Sequence, residues 1–175
     1  MTEDTLLEVR GLTKHFPIYG GVLGQQTGAV RAVDGVSFTI RYGRSLGLVG
    51  ESGSGKTTVG RTVLGLYAKD DGEVLFRGIN LHALDNASLR QLRPQLQLVF
   101  QDPLGSLNPR IRVGDAIGEA LLAHDLCRRE ELRKRVQDVM TSCGLGAEHY
   151  DRYPHEFSGG QRQRVGIARA LAMQP

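Results

Sequence analysis

The sequence predicts an α/β domain, because strand-like and helix-like segments alternate through its first hundred residues. Leu6–Arg10 and Val30–Ile40 alternate apolar and polar residues, which is typical of strands with one buried face. Ser45–Val49 is a short apolar run of the kind found in fully buried strands, and the helical spacing of Lys56–Tyr67 follows it. Glu73–Phe76 then predicts another strand, and this strand–helix–strand order favours the α/β class.

Length and composition fit one folded domain. The 175 residues fall in the usual range for a single domain, and 40% hydrophobic with 23% charged residues argue against disorder. No apolar run approaches the ~18 residues of a membrane-spanning helix, and the acidic start lacks the pattern of a signal peptide. The two cysteines have no metal-site spacing, and a net charge of +3 is too mild to require nucleic acid. We therefore expect a soluble, cytoplasmic chain.

Turn signals divide the first half of the chain. Residues 17–29 are rich in glycine and predict a loop, while Asp34-Gly35 predicts a turn within the second strand-like segment. Tyr42-Gly43 predicts another turn before the apolar run. Further along, Ser88–Leu92 predicts a short helix that Ser88 would cap.

The second half changes character after one more strand-like run, Leu96–Phe100. Val113–His124 and Glu130–Ser142 have helical spacing, and no strand pattern interrupts them. We therefore expect a helical subdomain over about 104–157, followed by a further helix, Gln161–Met173.

One motif carries specific chemistry. Residues Gly50–Thr57 read Gly-Glu-Ser-Gly-Ser-Gly-Lys-Thr and match the pattern G-x-x-x-x-G-K-[ST]. This composition would give roughly 0.006 such matches by chance. The motif also lies between a predicted strand and a predicted helix, which is the context that a phosphate-binding loop requires.

The chemistry of this loop indicates a nucleoside triphosphate with Mg²⁺. Its glycines let backbone N–H groups approach phosphate oxygens, and the following helix adds the partial positive charge of its N-terminus. The Lys56 ammonium would reach the β- and γ-phosphates, and the Thr57 hydroxyl would ligate Mg²⁺. The loop does not say how the energy of the triphosphate is used.

Further segments accompany the loop and point to one family. Leu98–Pro103 reads Leu-Val-Phe-Gln-Asp-Pro, and Phe157–Arg164 reads Phe-Ser-Gly-Gly-Gln-Arg-Gln-Arg. In this order and spacing they resemble the Q-loop and the signature motif of ABC ATPases. A closer resemblance to the ATP-binding subunits of oligopeptide, dipeptide and nickel importers lies in His15–Pro17, Ala32–Phe38, Ser106–Arg110 and Arg152–Phe157. The resemblance runs from Leu6 to Pro175.

This resemblance implies a fold and its division. The fold would be a P-loop, RecA-like ABC nucleotide-binding domain with an antiparallel β subdomain and a helical subdomain. Residues 1–175 would form one such domain, with an α/β core to about 103, the helical subdomain over about 104–157 and the signature segment at 158–175.

The resemblance also assigns roles to single residues. Phe16 would stack on adenine; Tyr19 is the competing ring, and a core position is the other reading of Phe16. Gln101 would contact Mg²⁺ or the attacking water, which makes it a catalytic candidate beside Lys56; an ordinary surface position is its alternative. The phosphates of ATP would be cradled by Gly50, Glu51, Ser52, Gly53, Ser54, Gly55, Lys56, Thr57 and Thr58.

Partners follow from the same resemblance. Ser158, Gly159, Gly160 and Gln161 would contact the γ-phosphate held by a second ATP-binding subunit, arranged head to tail, through a helix N-terminus. Two membrane permease subunits and, indirectly, an external solute-binding protein would complete an importer of peptides or similar small solutes. The chain would lie at the cytoplasmic face of the membrane, and no nucleic acid is expected.

The family's next segment has no counterpart before Pro175. In the family, a strand ending in Asp-Glu supports Mg²⁺ and polarises the attacking water, and a D-loop and a switch histidine follow it. We therefore expect the 175 residues to be part of a longer protein, with apolar strand edges exposed. We also expect the chain alone to bind ATP but to hydrolyse it slowly or not at all.

Two other function classes stay open. The phosphate loop and signature also fit a soluble ABC-type ATPase that acts on nucleic acid or the ribosome. A non-catalytic nucleotide-binding fragment is the third reading. Copurification with permeases separates the first two, and a nucleotide titration of Lys56→Ala addresses the third.

Overall fold

Two long antiparallel strands, β1 (Thr5–Gly20) and β2 (Gln25–Arg41), form the framework of the N-terminal half. Strand β3 (Asp71–Phe76) pairs with β1 on its other side, and the two-residue β4 (Ile79–Asn80) pairs with β3. The sheet order is therefore β2-β1-β3-β4, with every neighbouring pair antiparallel. This sheet confirms the antiparallel β subdomain that the family resemblance implies.

The computed structural model describes residues 4–20, 24–101, 105 and 107–175. The chain divides into two compact units, Met1–Leu89 and Arg90–Pro175. The predicted motif Leu98–Pro103 lies partly outside the described residues, as does Ser106–Arg110, and Gln101 is the last described residue before that gap.

Helix α1 (Lys56–Val63) packs against part of the N-terminal sheet. The helix packs against β1 and β2 and buries Val59, Thr62 and Val63. A 3₁₀ turn at Leu81–Ala83 packs beside β3. The apolar residues of this core are at most 8% exposed: Val9, Leu12, Val33, Val59, Val63, Val74, Phe76 and Leu81.

In the described part of the C-terminal unit, three helices pack on one another: α3 (Val113–Ala123), α4 (Arg129–Ser142) and α5 (Gly159–Ala172). Helix α2 (Asn86–Leu92) and a 3₁₀ turn at Arg93–Gln95 precede them, and 3₁₀ turns at Ala147–Asp151 and Pro154–Glu156 connect α4 to α5. Their apolar stripes meet in one core that includes Ile117, Leu121, Val136, Met140, Tyr150, Phe157 and Val165. These helices confirm the predicted ones to within two residues at each end.

The predicted loop over residues 17–29 is wrong for most of its length. β1 continues to Gly20 and β2 begins at Gln25, with Pro17 opposite Ala29 and Ile18 opposite Gly28. Glycine is common in loops, which is why this segment is predicted as one. Glycine nevertheless keeps its backbone N–H and C=O groups and can pair with a neighbouring strand. Residues 21–23 lie outside the described residues.

The predicted turn at Asp34-Gly35 is instead a bulge within β2. Leu12 pairs with Val36 and Lys14 with Val33, so β2 holds one more residue than β1 between these pairs. Gly35 has φ +65°, a left-handed conformation that glycine adopts without strain. The turn signal therefore marks a local kink and not a chain reversal.

The apolar runs 45–49 and 96–100 do not form strands. Residues 44–50 and 97–100 have no regular secondary structure, and Leu46, Leu48 and Val49 are 48%, 47% and 94% exposed. A strand needs a neighbour to accept and donate its ladder hydrogen bonds, and none of the four strands in the described part of the chain pairs with these runs.

The predicted cap of the short helix α2 is also wrong. The helix begins at Asn86, and the Asp85 carboxylate accepts a hydrogen bond from the Ser88 N–H at 2.8 Å. Asp85 is therefore the capping residue, and Ser88 lies inside the first turn. This hydrogen bond holds the pKa of Asp85 below its ordinary value.

Candidate phosphate-binding site

The loop Gly50–Lys56 leads directly into α1, which begins at Lys56. Gly53 and Gly55 have φ of +84° and +88°, and Gly55 is the N-cap of the helix without a side-chain cap. Residues 50–54 and Thr57 are exposed, whereas Gly55, Lys56 and Thr58 are partly buried. The loop is therefore open to solvent, and its glycines leave few side chains that could block a ligand from the backbone N–H groups at the helix start.

Gly55 also makes a close backbone approach. A Cβ at this position would clash with the carbonyl oxygen of Ala32 on β2. The loop is thus seated against the long hairpin, and only glycine allows that contact together with the positive φ.

The Lys56 side chain folds back over the loop. Its Nζ donates hydrogen bonds to the carbonyl oxygens of Gly50, at 2.8 Å, and Glu51, and to Ser54 Oγ at 3.2 Å. A Cβ on Gly50 would come within 2.7 Å of Ser54 Oγ, so glycine there leaves room for this ring of contacts. The Lys56 ammonium and the start of α1 both adjoin the loop, and together they form a cationic environment for phosphate oxygens.

The chemistry of the donor set fits Mg²⁺ only with help from a phosphate ligand. The described residues contain no group of three His, Cys, Asp or Glu side chains that could hold a metal. The Thr57 hydroxyl is exposed in the first turn of α1. Mg²⁺ typically takes one or two protein oxygens and completes its octahedron with water and substrate phosphates, so a single hydroxyl beside the loop suits it.

The two aromatic residues that are candidates for stacking on adenine lie at different positions along β1. Phe16 pairs with Val30 and is partly buried, whereas Tyr19 pairs with Gln26 and is 65% exposed. The Phe16 ring makes a T-shaped contact with Tyr67, with 5.5 Å between ring centroids and 85° between planes. Sequence reasoning missed Tyr67 because nothing in its spacing links it to β1.

The signature residues form the start of α5 through a reciprocal cap. Ser158 Oγ accepts a hydrogen bond from the Gln161 N–H at 3.3 Å, and Gln161 Oε1 accepts one from the Ser158 N–H at 2.9 Å. Gly159 and Gly160 are exposed, and a Cβ on either would meet nothing within 4 Å. The pattern Ser-x-x-Gln is itself a capping-box signal that could have predicted this arrangement.

Buried and polar contacts fix the approach to this helix. Phe157, 3% exposed, anchors the preceding residue in the core, and Arg162 Nε donates to the Pro154 carbonyl at 2.8 Å. Two residues later, Arg164 Nη1 donates to the carbonyl of Gly144 at 3.0 Å. The first turn of α5 is therefore held rigidly while its two glycines stay open to solvent.

Gln101 is exposed and follows the irregular run 97–100 in the C-terminal unit. The sequence-predicted residues thus fall into two groups: Phe16 and the loop 50–58 belong to the N-terminal unit, and Gln101 with Ser158–Gln161 belongs to the C-terminal unit. Among the described residues, no helix combines the length and apolar character that crossing a bilayer requires.

Comparison with known proteins is consistent with these motifs. The family model described as ABC transporter matches residues 33–175. The glutathione import ATP-binding protein GsiA of Pectobacterium atrosepticum is 51% identical over 172 residues, covering 98% of this chain and 28% of GsiA. The oligopeptide transport ATP-binding protein OppF of Bacillus subtilis is 50% identical over 177 residues, covering 100% of this chain and 55% of OppF. The chain therefore spans about half or less of the length of these relatives.

A solved structure agrees with the fold. The dimeric, post-hydrolysis structure of the ATP-binding cassette MJ0796 bound to ADP and Pi superposes with a TM-score of 0.83 at 28% identity, covering 97% of this chain and 71% of that one. Fold, motif order and sequence match all agree with the resemblance drawn from the sequence. The chain belongs to the ABC transporter family.

Proposed function

We propose that this chain binds Mg-ATP on the loop Gly50–Thr58 and serves as an ATP-binding subunit of an importer. The observation that carries the proposal is the Lys56 ammonium held over a glycine loop at the start of α1. Phosphate oxygens replace the carbonyl oxygens of Gly50 and Glu51 as its acceptors, because a charged acceptor makes a stronger hydrogen bond. The N–H groups of the loop and of the first turn of α1 bind the remaining phosphate oxygens.

Thr57 supplies the protein oxygen nearest to this phosphate site. It holds Mg²⁺ through its hydroxyl, and Mg²⁺ neutralises phosphate charge when bound. Gln101 contacts the metal or the attacking water in the same proposal, and it orients that water through its side-chain amide. Both assignments rest on the resemblance to the family and on the exposure of the two side chains.

Phe16 is favoured over Tyr19 as the ring that stacks on adenine. Gly55 lies against Ala32, which is two residues along β2 from the partner of Phe16 and six from the partner of Tyr19. At ~3.3 Å per residue these separations are about 7 Å and about 20 Å along the strand. The shorter one keeps the base and the phosphates of one nucleotide within reach of both elements.

The signature residues complete the site of a second subunit. Ser158 and Gln161 are hydrogen-bonded to each other at the start of α5. In this proposal the N–H groups of Gly159 and Gly160 bind the γ-phosphate. ATP is then held between two subunits arranged head to tail. The dimeric form of the MJ0796 structure supports this arrangement.

A titration with Mg-ATP tests the nucleotide site. Lys56→Ala is expected to weaken binding by about 10- to 150-fold, because a hydrogen bond to a charged group contributes about 1.5–3 kcal/mol. Lys134→Ala, which removes an exposed lysine on α4, is the matched control and is expected to bind like the parent. Equal affinities of the parent and Lys56→Ala would contradict the proposal.

The importer role is proposed from the relatives and requires its own test. GsiA and OppF are named as import and transport ATP-binding proteins, so the partners here are a second ATP-binding subunit, two permeases and, indirectly, an external solute-binding protein. The subunit lies at the cytoplasmic face of the membrane and powers uptake of peptides or similar small solutes. Capture of two permeases by the tagged protein supports this role. Salt-sensitive binding to DNA or ribosomes without permeases would contradict it.

Hydrolysis by the 175-residue chain alone is proposed to be slow. No Asp in the sequence is followed directly by Glu, so the pair that polarises water in the family has no counterpart here. Positioning of the water and neutralisation of charge supply most of the catalysis in phosphoryl transfer. Lys56 and Gln101 on their own supply only part of both.

A further inference from the structure

The residues that follow α1 bring a second aromatic ring to the hairpin. Tyr67 is partly buried, and its ring lies 5.5 Å from that of Phe16 at an interplanar angle of 85°. T-shaped aromatic pairs are stabilised beyond their buried area, and they restrict the orientation of both rings. Such a pair engages at most one face of the Phe16 ring.

Tyr67 is itself tied to α1 by three contacts with one residue. Arg61 Nη1 donates to Tyr67 Oη at 2.8 Å, and its guanidinium carbon lies 5.7 Å from the centroid of the tyrosine ring. The Tyr67 N–H also donates to the Arg61 carbonyl at 3.3 Å. Arg61 belongs to the helix that starts at Lys56, so the ring is held by the same element that opens the phosphate site.

The residues that follow Tyr67 also hold the backbone beside Phe16 in place. The Asp70 carboxylate accepts hydrogen bonds from the His15 N–H at 2.5 Å and from Lys14 Nζ at 2.9 Å, and the Asp70 N–H donates to Thr13 at 2.9 Å. Lys14 Nζ in turn lies 5.4 Å from the centroid of the Phe16 ring. The segment Tyr67–Asp70 therefore fixes both the backbone and the ring of this part of β1.

We propose that Tyr67 is a positioning residue for the nucleotide base: its ring, tethered by Arg61, orients Phe16 so that the base and the phosphates are bound in register. The proposal rests on the base-stacking role proposed for Phe16. It predicts that Tyr67 affects the base-dependent part of the affinity, because its ring and hydrogen-bond contacts join it to Phe16 and Arg61.

The test compares Mg-ATP with Mg-tripolyphosphate, which lacks the base, as ligands of the protein. Tyr67→Leu is expected to weaken ATP binding about 3- to 10-fold, the range of a lost aromatic pair, and to leave tripolyphosphate binding unchanged. Tyr67→Phe keeps the ring and its contact with the Arg61 guanidinium but loses the hydrogen bond to Arg61, so its ATP affinity is expected to lie between those of the parent and Tyr67→Leu. Arg61→Met removes the tether alone and should shift ATP affinity in the same direction as Tyr67→Leu, which covers the case in which Tyr67→Leu does not fold.

The variant Phe16→Ala distinguishes a failure of the positioning role of Tyr67 from a failure of the base-stacking role of Phe16. Phe16→Ala should weaken ATP but not tripolyphosphate binding, and Tyr67→Leu should then have no further effect in the Phe16→Ala background. If Phe16→Ala leaves ATP affinity unchanged, the base-stacking role itself fails, and the proposal for Tyr67 fails with it. If Phe16→Ala weakens ATP binding while Tyr67→Leu does not, or if Tyr67→Leu weakens both ligands equally, only the positioning role is overturned.

Discussion

Two glycines of the phosphate loop share a left-handed backbone but differ in what surrounds them. A Cβ on Gly53 would meet nothing within 4 Å, whereas a Cβ on Gly55 would clash with the backbone carbonyl of Ala32. The substitution Gly53→Ala is therefore a measure of conformational strain alone. Gly55→Ala adds a steric conflict with backbone that cannot move aside without opening the hairpin.

We expect Gly53→Ala to lower the free energy of unfolding by about 1–2 kcal/mol, the cost of a left-handed conformation for an L-residue. Gly55→Ala is expected to cost about 1–3 kcal/mol more, because overpacking adds to the same strain. Urea unfolding of both variants beside the parent measures the difference. Equal losses for the two variants would mean that the approach of Gly55 to Ala32 does not constrain the loop.

At the scale of single residues, some contacts could be predicted from the sequence and others could not. The motif indicates that Gly55 lets the backbone approach phosphate. The tight contact of Gly55 with Ala32 on β2 could not be predicted in this way, because it depends on the tertiary structure. The hydrogen-bonded pair of Ser158 and Gln161 was available from the spacing Ser-x-x-Gln alone. The contact of Tyr67 with Phe16 was not, because Phe16 lies on a strand far earlier in the chain and nothing in the local sequence links the two rings.

At the scale of elements, the end of α1 is fixed by a histidine from another element. The ring Nε2 of His82, in the 3₁₀ turn after β4, donates to the carbonyl of Thr62 at 2.8 Å. Burial lowers the pKa of His82 below its ordinary 6.5, and the charge of Lys69 lowers it further, although the bond to Thr62 opposes both. The folded protein therefore favours the neutral ring.

This shift predicts how stability depends on pH. Because the unfolded chain binds a proton at His82 more readily, its contribution to stability is complete above pH 6.5 and is lost as the pH falls through the lower folded value. His82→Gln removes the titration but keeps a side-chain N–H donor. The free energy of unfolding, measured from pH 5 to 8, should fall less steeply toward acid for His82→Gln than for the parent. Parallel curves would contradict this role for His82.

Elements that depend on their own sequence were predicted correctly, whereas segments whose structure depends on a distant partner strand were not. The helices α3, α4 and α5 follow from their own apolar spacing, and the predicted strand Glu73–Phe76 lies within β3. The run 45–49 has the composition of a buried strand, yet it is exposed and irregular because no described strand pairs with it. Composition gives a segment the capacity to form a strand, whereas a partner strand decides whether it does.

On the scale of the whole molecule, binding and turnover are expected to separate. The two groups of proposed site residues lie in different units of the chain, and the chain spans about half or less of the length of GsiA and OppF. We expect the purified 175-residue chain to bind Mg-ATP in a Lys56-dependent manner while phosphate release stays at the level of the Lys56→Ala variant. A steady-state phosphate assay on both proteins measures this. Robust turnover by the parent alone would show that other residues polarise the water.

The most direct test of the central claim is an amide-resolved NMR titration of the protein with Mg-ATP. If the loop is the phosphate site, the largest shift changes should fall on the backbone N–H groups of residues 50–58, and Lys56→Ala should remove most of them at the same ligand concentration. Shift changes elsewhere in the chain with none in this loop, or changes that survive Lys56→Ala undiminished, would contradict the account.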